Sequence, residues 1–237
     1  MLSEQDLKQI SQRGISKEQV EHQLEQIKNG FPFLRIEAAA AVGKDIMKPT
    51  EEESKAYAEE WGQYLADGHE VVKFVPASGA ASRMFKDLFA FLESGREVPE
   101  SETEKTFFGN LRKFAFYDAL NDACILLYGM GAEALVEEQR CQLIEAGRYK
   151  DVVANLLLPK GLNYGQLPKG LLLFHEYEEG MRTPVEEHLV EAALYAQSDG
   201  KANVHFTVSH EHLEFFEKTV EEKLPLYEKM FGVKYNV

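Results

Sequence analysis

The hydrophobic pattern begins with a helical region. Residues 1–66 carry apolar side chains at helical spacing, and Ser16 and Thr50 each open a capping-box pattern that starts a helix. A break at residues 30–33 separates the helices, and Gly68 ends the region. The pattern therefore predicts a helical N-terminal region over residues 1–68.

The pattern then changes to a strand. Residues 71–75 are nearly all apolar, which is typical of a central parallel strand covered on both faces. Residues 85–92 have the spacing of an amphipathic helix, and helical spacing returns from Ser101 to about residue 158. We interpret residues 95–160 as a helical insertion, either a lid or a packing subdomain.

The last third alternates between strands and helices. An apolar run at residues 171–174 precedes a strong helix start at Thr183, and a strand follows at residues 203–208. A further helix begins at His210, and residues 233–237 begin another strand. This order is the connectivity of a parallel α/β sheet, so the predicted fold is Rossmann-like α/β.

Composition narrows the class of protein. The chain has 237 residues, 44% of them hydrophobic, which is enough for a sizeable core. Its net charge of -14 argues against a protein that binds duplex nucleic acid. The start of the sequence lacks the features of a signal peptide, no window resembles a membrane span, and Cys124 and Cys141 fit reduced, buried thiols. We expect a cytoplasmic protein with no membrane or nucleic-acid partner, and the oligomeric state stays open.

The most informative stretch is residues 71–84, where a strand leads into small residues and then into a helix expected near Arg83. Small side chains let the backbone approach an anion, and a helix start offers N–H groups and partial positive charge. Arg83 adds a planar set of donors that suits phosphate oxygens. The alternative is a plain strand-to-helix turn, because no P-loop signature follows. The candidate phosphate-binding residues are Ala77, Ser78, Gly79, Ala80, Ala81 and Ser82.

Two motifs together resemble those of a known family. Residues 79–84 resemble the Gly-x-Gly-Thr-Arg-Met/Leu loop of sugar-phosphate nucleotidyltransferases. Pro168 and Lys169, the apolar run at residues 171–174 and the helix start at Pro184 are similar to that family's second motif, and they follow in the family's order.

This resemblance implies a fold and a reaction. It implies a nucleotide-diphospho-sugar transferase fold over residues 69–237, incomplete at its C-terminal end, with the insertion at residues 95–160. The loop would wrap the triphosphate of a nucleotide, while Arg83 would contact the departing pyrophosphate and Lys169 would hold the phosphates or the sugar phosphate. A sugar-phosphate oxygen would then attack the α-phosphorus, normally with Mg²⁺. The implied partner is a nucleoside triphosphate or a nucleotide sugar.

The chain also departs from the nucleotidyltransferase pattern. Ala81 replaces a glycine, which restricts a backbone position that glycine would leave free, and Ser82 replaces the threonine. The gap from Arg83 to Lys169 is long, and the later metal-binding aspartate has no counterpart. Over nearly its full length the chain also resembles a family of uncharacterised bacterial proteins known only as a domain of unknown function. Because members of that family are longer, this resemblance implies an N-terminal portion.

Several histidines are weaker candidates. His175 opens a segment that starts like a zinc-protease helix but has Glu179 where the second histidine must stand. His205, His210 and His212 are close in sequence, yet a strand end and a helix start rarely direct three side chains to one point. We interpret these three as solvent-facing or capping residues in preference to metal ligands.

Charged residues near the motifs have plain explanations. Glu186 fits a capping role, and Glu187 and Glu191 fit a solvated helix face. Lys86 follows Arg83 by one helical turn and fits an ordinary surface lysine, with added charge near phosphates as the alternative.

The motifs favour one function over two others. The leading hypothesis is a nucleotidyltransferase-like protein in which Arg83 and Lys169 are catalytic. A binding module without catalysis is the first alternative, supported by Ala81 in place of glycine. A helical protein-interaction module is the second, supported by the abundance of phenylalanine.

Overall fold

The computed structural model describes residues 2–132 and 142–237. The chain divides into two compact units, Met1–Ala56 and Tyr57–Val237, and the boundary falls inside a helix. The predicted division at residue 68 and the insertion at residues 95–160 stay predictions.

The described residues form nine α-helices. The predicted N-cap side chains of Ser16, Thr50, Ser101 and Thr183 each accept a hydrogen bond from the backbone N–H three residues on, which confirms these helix starts. The helices are α1 (Glu4–Gln12), α2 (Lys17–Asn29), α3 (Glu51–Ala66), α4 (Lys86–Glu93), α5 (Glu102–Gly109), α6 (Tyr117–Tyr128), α7 (Tyr149–Leu157), α8 (Pro184–Tyr195) and α9 (Leu213–Phe231).

The first unit has little core of its own among the described residues. Neither α1 nor α2 contains a buried residue. The predicted break at residues 30–33 is confirmed, because α2 ends at Asn29 and the following segment is not helical. In that segment Phe33 and Leu34 are exposed.

The described part of the second unit contains a parallel sheet and a hairpin. The sheet has the order β1-β4-β5, with Val75 of β1 opposite Phe206 of β4 and Ala202 of β4 opposite Tyr235 of β5. The hairpin is antiparallel and joins β2 to β3. The chain is thus a mixed α/β protein with a small parallel sheet. The strands are β1 (Val72–Pro76), β2 (His175–Tyr177), β3 (Gly180–Arg182), β4 (Lys201–Thr207) and β5 (Lys234–Asn236).

The position of β1 corrects the prediction of a central strand covered on both faces. Within the described residues β1 pairs only with β4 and lies at the edge of the sheet. Val75 is buried, whereas Val72 and Phe74 on the opposite face are 59% and 63% exposed. Phe74 stacks on His205 of β4, with the ring centroids 5.0 Å apart. An all-apolar run does not reveal which of its two faces another element covers.

The buried face of the sheet packs on helices. Val75 and Val204 from the strands, Leu189 from α8 and Tyr227 from α9 belong to one cluster of buried residues, the sheet cluster. Leu189 is fully buried, as expected where a helix packs on the pleated surface of a strand pair.

A second and larger cluster, the helical cluster, contains Phe91, Leu120, Leu156 and Leu172 and draws on α4 to α7. Its last member corrects a prediction, because the apolar run at residues 171–174 forms no strand. Lys169–Leu171 is a short 3₁₀ helix, and Leu172 is fully buried among the helices. A short apolar run fits a helical core as well as a sheet.

Helix α9 begins and continues differently from the sequence pattern. It starts at Leu213, because His210–His212 forms a 3₁₀ turn, and it runs through Pro225 to Phe231. Proline inside a helix removes one backbone hydrogen bond, which the packing of Phe216 and Tyr227 offsets. In the described ranges no helix has both the length and the apolar character needed to cross a membrane.

Candidate functional site

The loop predicted to bind phosphate lies at the carboxyl end of β1. Residues 77–82, the amide loop, leave the sheet where the Ala77 N–H donates to the carbonyl of Thr207 at 2.8 Å. The carboxyl ends of two neighbouring parallel strands therefore meet here. Ligands of open α/β sheets bind outside this edge.

The two sequence motifs lie side by side. Ala80 forms an antiparallel β-bridge with Pro168, and the Lys169 N–H donates to the carbonyl of Gly79 at 2.9 Å. The chain thus returns across the helical cluster to place the second motif against the first. The sequence order of the motifs did not require this contact.

The amide loop offers free donors. The N–H groups of residues 78–80 and of Ser82 donate to no described residue, whereas the Ala81 N–H faces the Leu167 carbonyl across the bridge between Ala80 and Pro168. Gly79 has an ordinary backbone conformation and no heavy atom near the position of a side chain, so neither strain nor crowding requires glycine there. A row of backbone N–H groups beside an open position is suited to an anion.

The structure changes the significance of Ala81. It is fully buried and belongs to the helical cluster, and its φ angle is not in the left-handed region. The restriction that alanine imposes relative to glycine therefore causes no backbone strain at this position. Alanine fits because its methyl group packs in the core, while Gly79 keeps the loop's open position.

The helix after the amide loop begins later than predicted. Helix α4 starts at Lys86 and not near Arg83, because residues 82–85 form a turn in which the Met84 N–H donates to the carbonyl of Ala81. Arg83 therefore projects from this turn. The helix start is capped by no side chain, since Phe85 occupies the N-cap position.

The cations beside the amide loop are exposed. Arg83, Lys86 and Lys169 form no ion pair or side-chain hydrogen bond with any residue that the structure describes. A shallow depression of about 420 Å³ includes Ser82, Arg83 and Lys86 but not Lys169. The structure thus brings the backbones of the two motifs together without placing the two predicted catalytic side chains in one pocket.

A third segment supports this edge, and sequence reasoning did not predict it. His212, in the 3₁₀ turn after β4, bonds to Ser209 Oγ at 2.7 Å and to the Gln166 carbonyl at 3.2 Å. These bonds tie the end of β4 to the segment just before Pro168. His205 instead stacks on Phe74, and no group of metal-ligating side chains occurs among the described residues.

A cavity of about 810 Å³ adjoins the helical cluster near the amide loop. This aromatic cavity is lined by Met84 and Leu88 of the α4 region, by Phe107 of α5, and by Phe114 and Phe174. Sequence patterns did not predict this cavity, because each of its aromatic residues has the spacing expected of a core position.

A comparison with known families gives a match over nearly the whole chain. The family model described as "Domain of unknown function (DUF4301)" matches residues 3–237. The chain belongs to this family. No curated protein and no solved structure matches the chain. Membership in the DUF4301 family confirms the predicted resemblance to a domain of unknown function, while the resemblance to nucleotidyltransferases stays a prediction.

Glu186 has the predicted capping role and an additional one. Its carboxylate accepts from the Thr183 N–H at 2.9 Å, and it also bonds to Tyr227 OH and Lys223 Nζ, each at 3.1 Å. Burial raises the pKa of Glu186, but the Thr183 N–H and the charge of Lys223 outweigh it and the net shift is downward. This carboxylate is structural, because it joins α8 to α9.

The prediction that Glu187 and Glu191 lie on a solvated face holds for one of them, because the Glu191 side chain is 40% exposed and that of Glu187 only 16%. Glu187 pairs with Arg182 at 3.4 Å, and Glu191 pairs with Lys73 of β1 at 2.7 Å. Although burial raises the pKa of Glu191, hydrogen bonds from Lys73 and His188 lower it to about 2. Lys73 is distant from Glu191 in sequence, and Arg182 lies in the strand just before α8, so helical spacing gives no information about either partner.

The remaining candidates are resolved in part. His175 lies in the hairpin strand β2, so the segment is not a zinc-protease helix. Cys124 is buried, and burial raises the pKa of its thiol to about 12, as expected of an unreactive core residue. Cys141 lies outside the described residues.

Proposed function

We propose that the chain binds a nucleoside triphosphate or a nucleotide sugar through its phosphates at the amide loop. The observation that carries this proposal is the set of N–H groups at residues 78–80 and Ser82 that donate to no described residue, beside the open position at Gly79. Backbone N–H groups at the carboxyl edge of a parallel sheet suit phosphate oxygens.

Electrostatics support an anionic ligand at this place. Arg83 follows the amide loop directly and Lys169 is held against it through its backbone, and both side chains are exposed. Neither side chain forms an ion pair with a described carboxylate, so both are available to bind phosphate. On a chain with a net charge of -14, this local cationic pair would steer an anion to the loop.

The proposed reaction is nucleotidyl transfer from a nucleoside triphosphate to a sugar phosphate, with release of pyrophosphate. Such transfers depend mainly on positioning and on neutralising charge that develops on the leaving group. In this proposal the amide loop holds the triphosphate, Arg83 neutralises charge on the departing pyrophosphate, and Lys169 neutralises charge on the phosphates or the sugar phosphate.

Mg²⁺ belongs to the proposal as a companion of the triphosphate. The described residues include no group of three or more side chains that could hold a metal ion. A phosphate-bound Mg²⁺ needs fewer protein ligands, because it keeps several waters and takes oxygens from the substrate.

Calorimetric titration with nucleoside triphosphates and nucleotide sugars, with and without Mg²⁺, tests the binding. Gly79→Val places a branched side chain in the open position and should abolish binding while leaving the melting temperature unchanged. Arg83→Ala and Lys169→Ala should each weaken binding about tenfold, as expected when one charge-assisted contact is lost. Lys201→Ala is the matched control, because Lys201 is an exposed lysine of the same unit.

Pyrophosphate release separates the catalytic proposal from a binding module without catalysis. If nucleotide binds but no pyrophosphate appears with any sugar phosphate, the binding-module alternative replaces the enzyme. If no nucleotide or nucleotide sugar binds the wild-type chain, both proposals fail.

A helical protein-interaction module is the second candidate function, favoured by the first unit. Helices α1 and α2 have no buried residue, and Phe33, Leu34 and Ile36 are each more than 80% exposed. Clustered exposed apolar side chains mark interaction sites. Sedimentation of the wild type and of a Phe33→Asp, Ile36→Asp double variant tests this function. It predicts that the wild type associates and that the double variant does not.

A further inference from the structure

We propose that the aromatic cavity binds a nucleobase carrying an exocyclic amino group, and that this base belongs to the nucleotide held at the amide loop. The second part of the inference rests on the proposed function. The first part rests on the cavity itself and can be tested without phosphates.

The walls of the cavity suit a flat aromatic ligand. Phe107 and Phe116 are nearly fully buried, whereas Phe114 is half-buried, so phenyl rings form a fixed wall with one ring at the mouth. Stacking of a base on aromatic side chains is tolerant of base identity and contributes substantially to binding. The volume of about 810 Å³ lies within the range of small-molecule sites.

Polar groups at the mouth supply hydrogen-bond acceptors. Asn110 lines the cavity and its Nδ2 donates to the Thr106 carbonyl at 2.8 Å, so Oδ1 is the part of the amide left to accept a hydrogen bond from a ligand. Asp87 on α4 also lines the cavity, and its carboxylate bonds to no described residue. Two acceptors favour a ligand edge that carries N–H donors, as the amino groups of adenine, guanine and cytosine do.

The polar groups also argue against an acyl chain. A purely apolar occupant would displace water from Asp87, from Asn110 Oδ1 and from Lys113 without replacing its hydrogen bonds, and covering polar groups in this way is unfavourable. A nucleobase presents an apolar face and a polar edge, which matches aromatic walls with acceptors at the mouth.

Chain connectivity places the cavity close to the amide loop. Met84 lines the cavity and follows Ser82 by two positions, so their Cα atoms lie within about 7.6 Å. Leu173 lines it from the other motif, shortly after Lys169. Both phosphate-binding motifs therefore run directly into the cavity wall, at a separation that the ribose of one nucleotide can span.

Binding of separate ligand pieces tests the inference. Adenosine, guanosine, cytidine and uridine probe the cavity without phosphates, and inorganic tripolyphosphate probes the amide loop without a base. Thr106→Trp fills the cavity from the exposed face of α5, and Lys105→Trp adds the same side chain next to it, outside the cavity lining. Thermal melting of each variant confirms that it folds.

We expect Thr106→Trp to weaken the binding of adenosine, guanosine and cytidine at least tenfold. Lys105→Trp and Gly79→Val should leave the binding of these nucleosides unchanged. Tripolyphosphate binding should show the reverse dependence. Gly79→Val should abolish it, and Thr106→Trp should leave it unchanged. Uridine should bind about tenfold more weakly than cytidine, and Asp87→Asn should reduce that preference, since it removes a charged acceptor.

Other results overturn the inference in distinguishable ways. Nucleosides that bind equally to Thr106→Trp and Lys105→Trp would place the base elsewhere, and uridine binding as tightly as cytidine would contradict the amino-group selection. Binding of tripolyphosphate but of no nucleoside would overturn the cavity site and leave the proposed function intact. Binding of neither would overturn both.

Discussion

The helical cluster and the sheet cluster bury similar kinds of side chain but use them differently. In the helical cluster, Leu120 and Leu156 are fully buried on elements close together in sequence. In the sheet cluster, Val75 and Leu189 come from distant parts of the chain, and one face of the sheet keeps Phe74 exposed. The first cluster comes from residues between 81 and 172 and includes the packing of α4 on α7, whereas the second joins β1 to helices and strands of the last third of the chain.

The amide loop connects the two clusters. Ala77 packs against the sheet cluster, while Ala81 is a member of the helical cluster. The loop between them is therefore fixed at both ends, and its N–H groups are held in place without needing bonds of their own. A site at such a junction is preorganised by both cores, which is what binding an anion through backbone donors requires.

Truncation of one core residue in each cluster should have the largest effect. Leu120→Ala and Leu189→Ala each remove a fully buried side chain, and each should lower the free energy of unfolding by about 3 kcal/mol. Because the amide loop joins the clusters, we expect one cooperative transition for residues 57–237 in chemical denaturation. Two separate transitions, one shifted by each variant, would show that the clusters are independent.

Removal of the Glu186 carboxylate should have the next largest effect. Glu186→Ala loses the helix cap of α8 and leaves Tyr227 and Lys223 without their acceptor, so the free energy of unfolding should fall by about 2–3 kcal/mol. Glu221→Ala is the control, because Glu221 is an exposed glutamate of α9, and it should change the free energy of unfolding by about 0.5 kcal/mol or less. Equal losses in urea denaturation would contradict the structural role of Glu186.

The ion pair of Glu104 in α5 should make the free energy of unfolding fall at low pH. Paired hydrogen bonds from Arg96, at 2.7 and 2.8 Å, lower the pKa of Glu104 to about 2 from its ordinary value of 4.5. Since the folded-state pKa is depressed, this stabilisation is fully present above pH 4.5 and is lost as the pH falls towards 2.

Glu104→Gln tests this pH dependence of stability. The variant should be less stable at neutral pH, and its free energy of unfolding should depend less on pH between 4.5 and 2 than that of the wild type. Glu100→Gln is a control, because Glu100 is largely exposed and its carboxylate lies 4.0 Å from Arg96, too far for a hydrogen bond. Parallel pH profiles for the wild type and Glu104→Gln would contradict the assignment.

Local sequence patterns correctly predicted the parts of the fold that depend on neighbouring residues. Capping sequences located the starts of α2, α3, α5 and α8, because the donor and acceptor of each cap lie three residues apart. The strand β1 and the loop after it followed from an apolar run ending in small residues.

Long-range features were the ones that the sequence did not determine. Whether residues 171–174 join a sheet or a helical core depends on which partner reaches them, and Leu172 packs among helices. The edge position of β1, the pairing of Glu191 with Lys73 and the aromatic cavity have the same origin. For the candidate site, the order of the motifs gave the residues, but only the Ala80–Pro168 bridge shows that the two motifs meet.

The backbone amide NMR signals of residues 78–82 during titration with a nucleoside triphosphate and Mg²⁺ test the central claim most directly. If the amide loop binds phosphate, these signals should shift saturably to lower field, and Gly79→Val should abolish the shifts. The amide of Lys201, at the opposite end of β4, should stay unchanged. Saturable binding that leaves residues 78–82 unshifted would contradict the account.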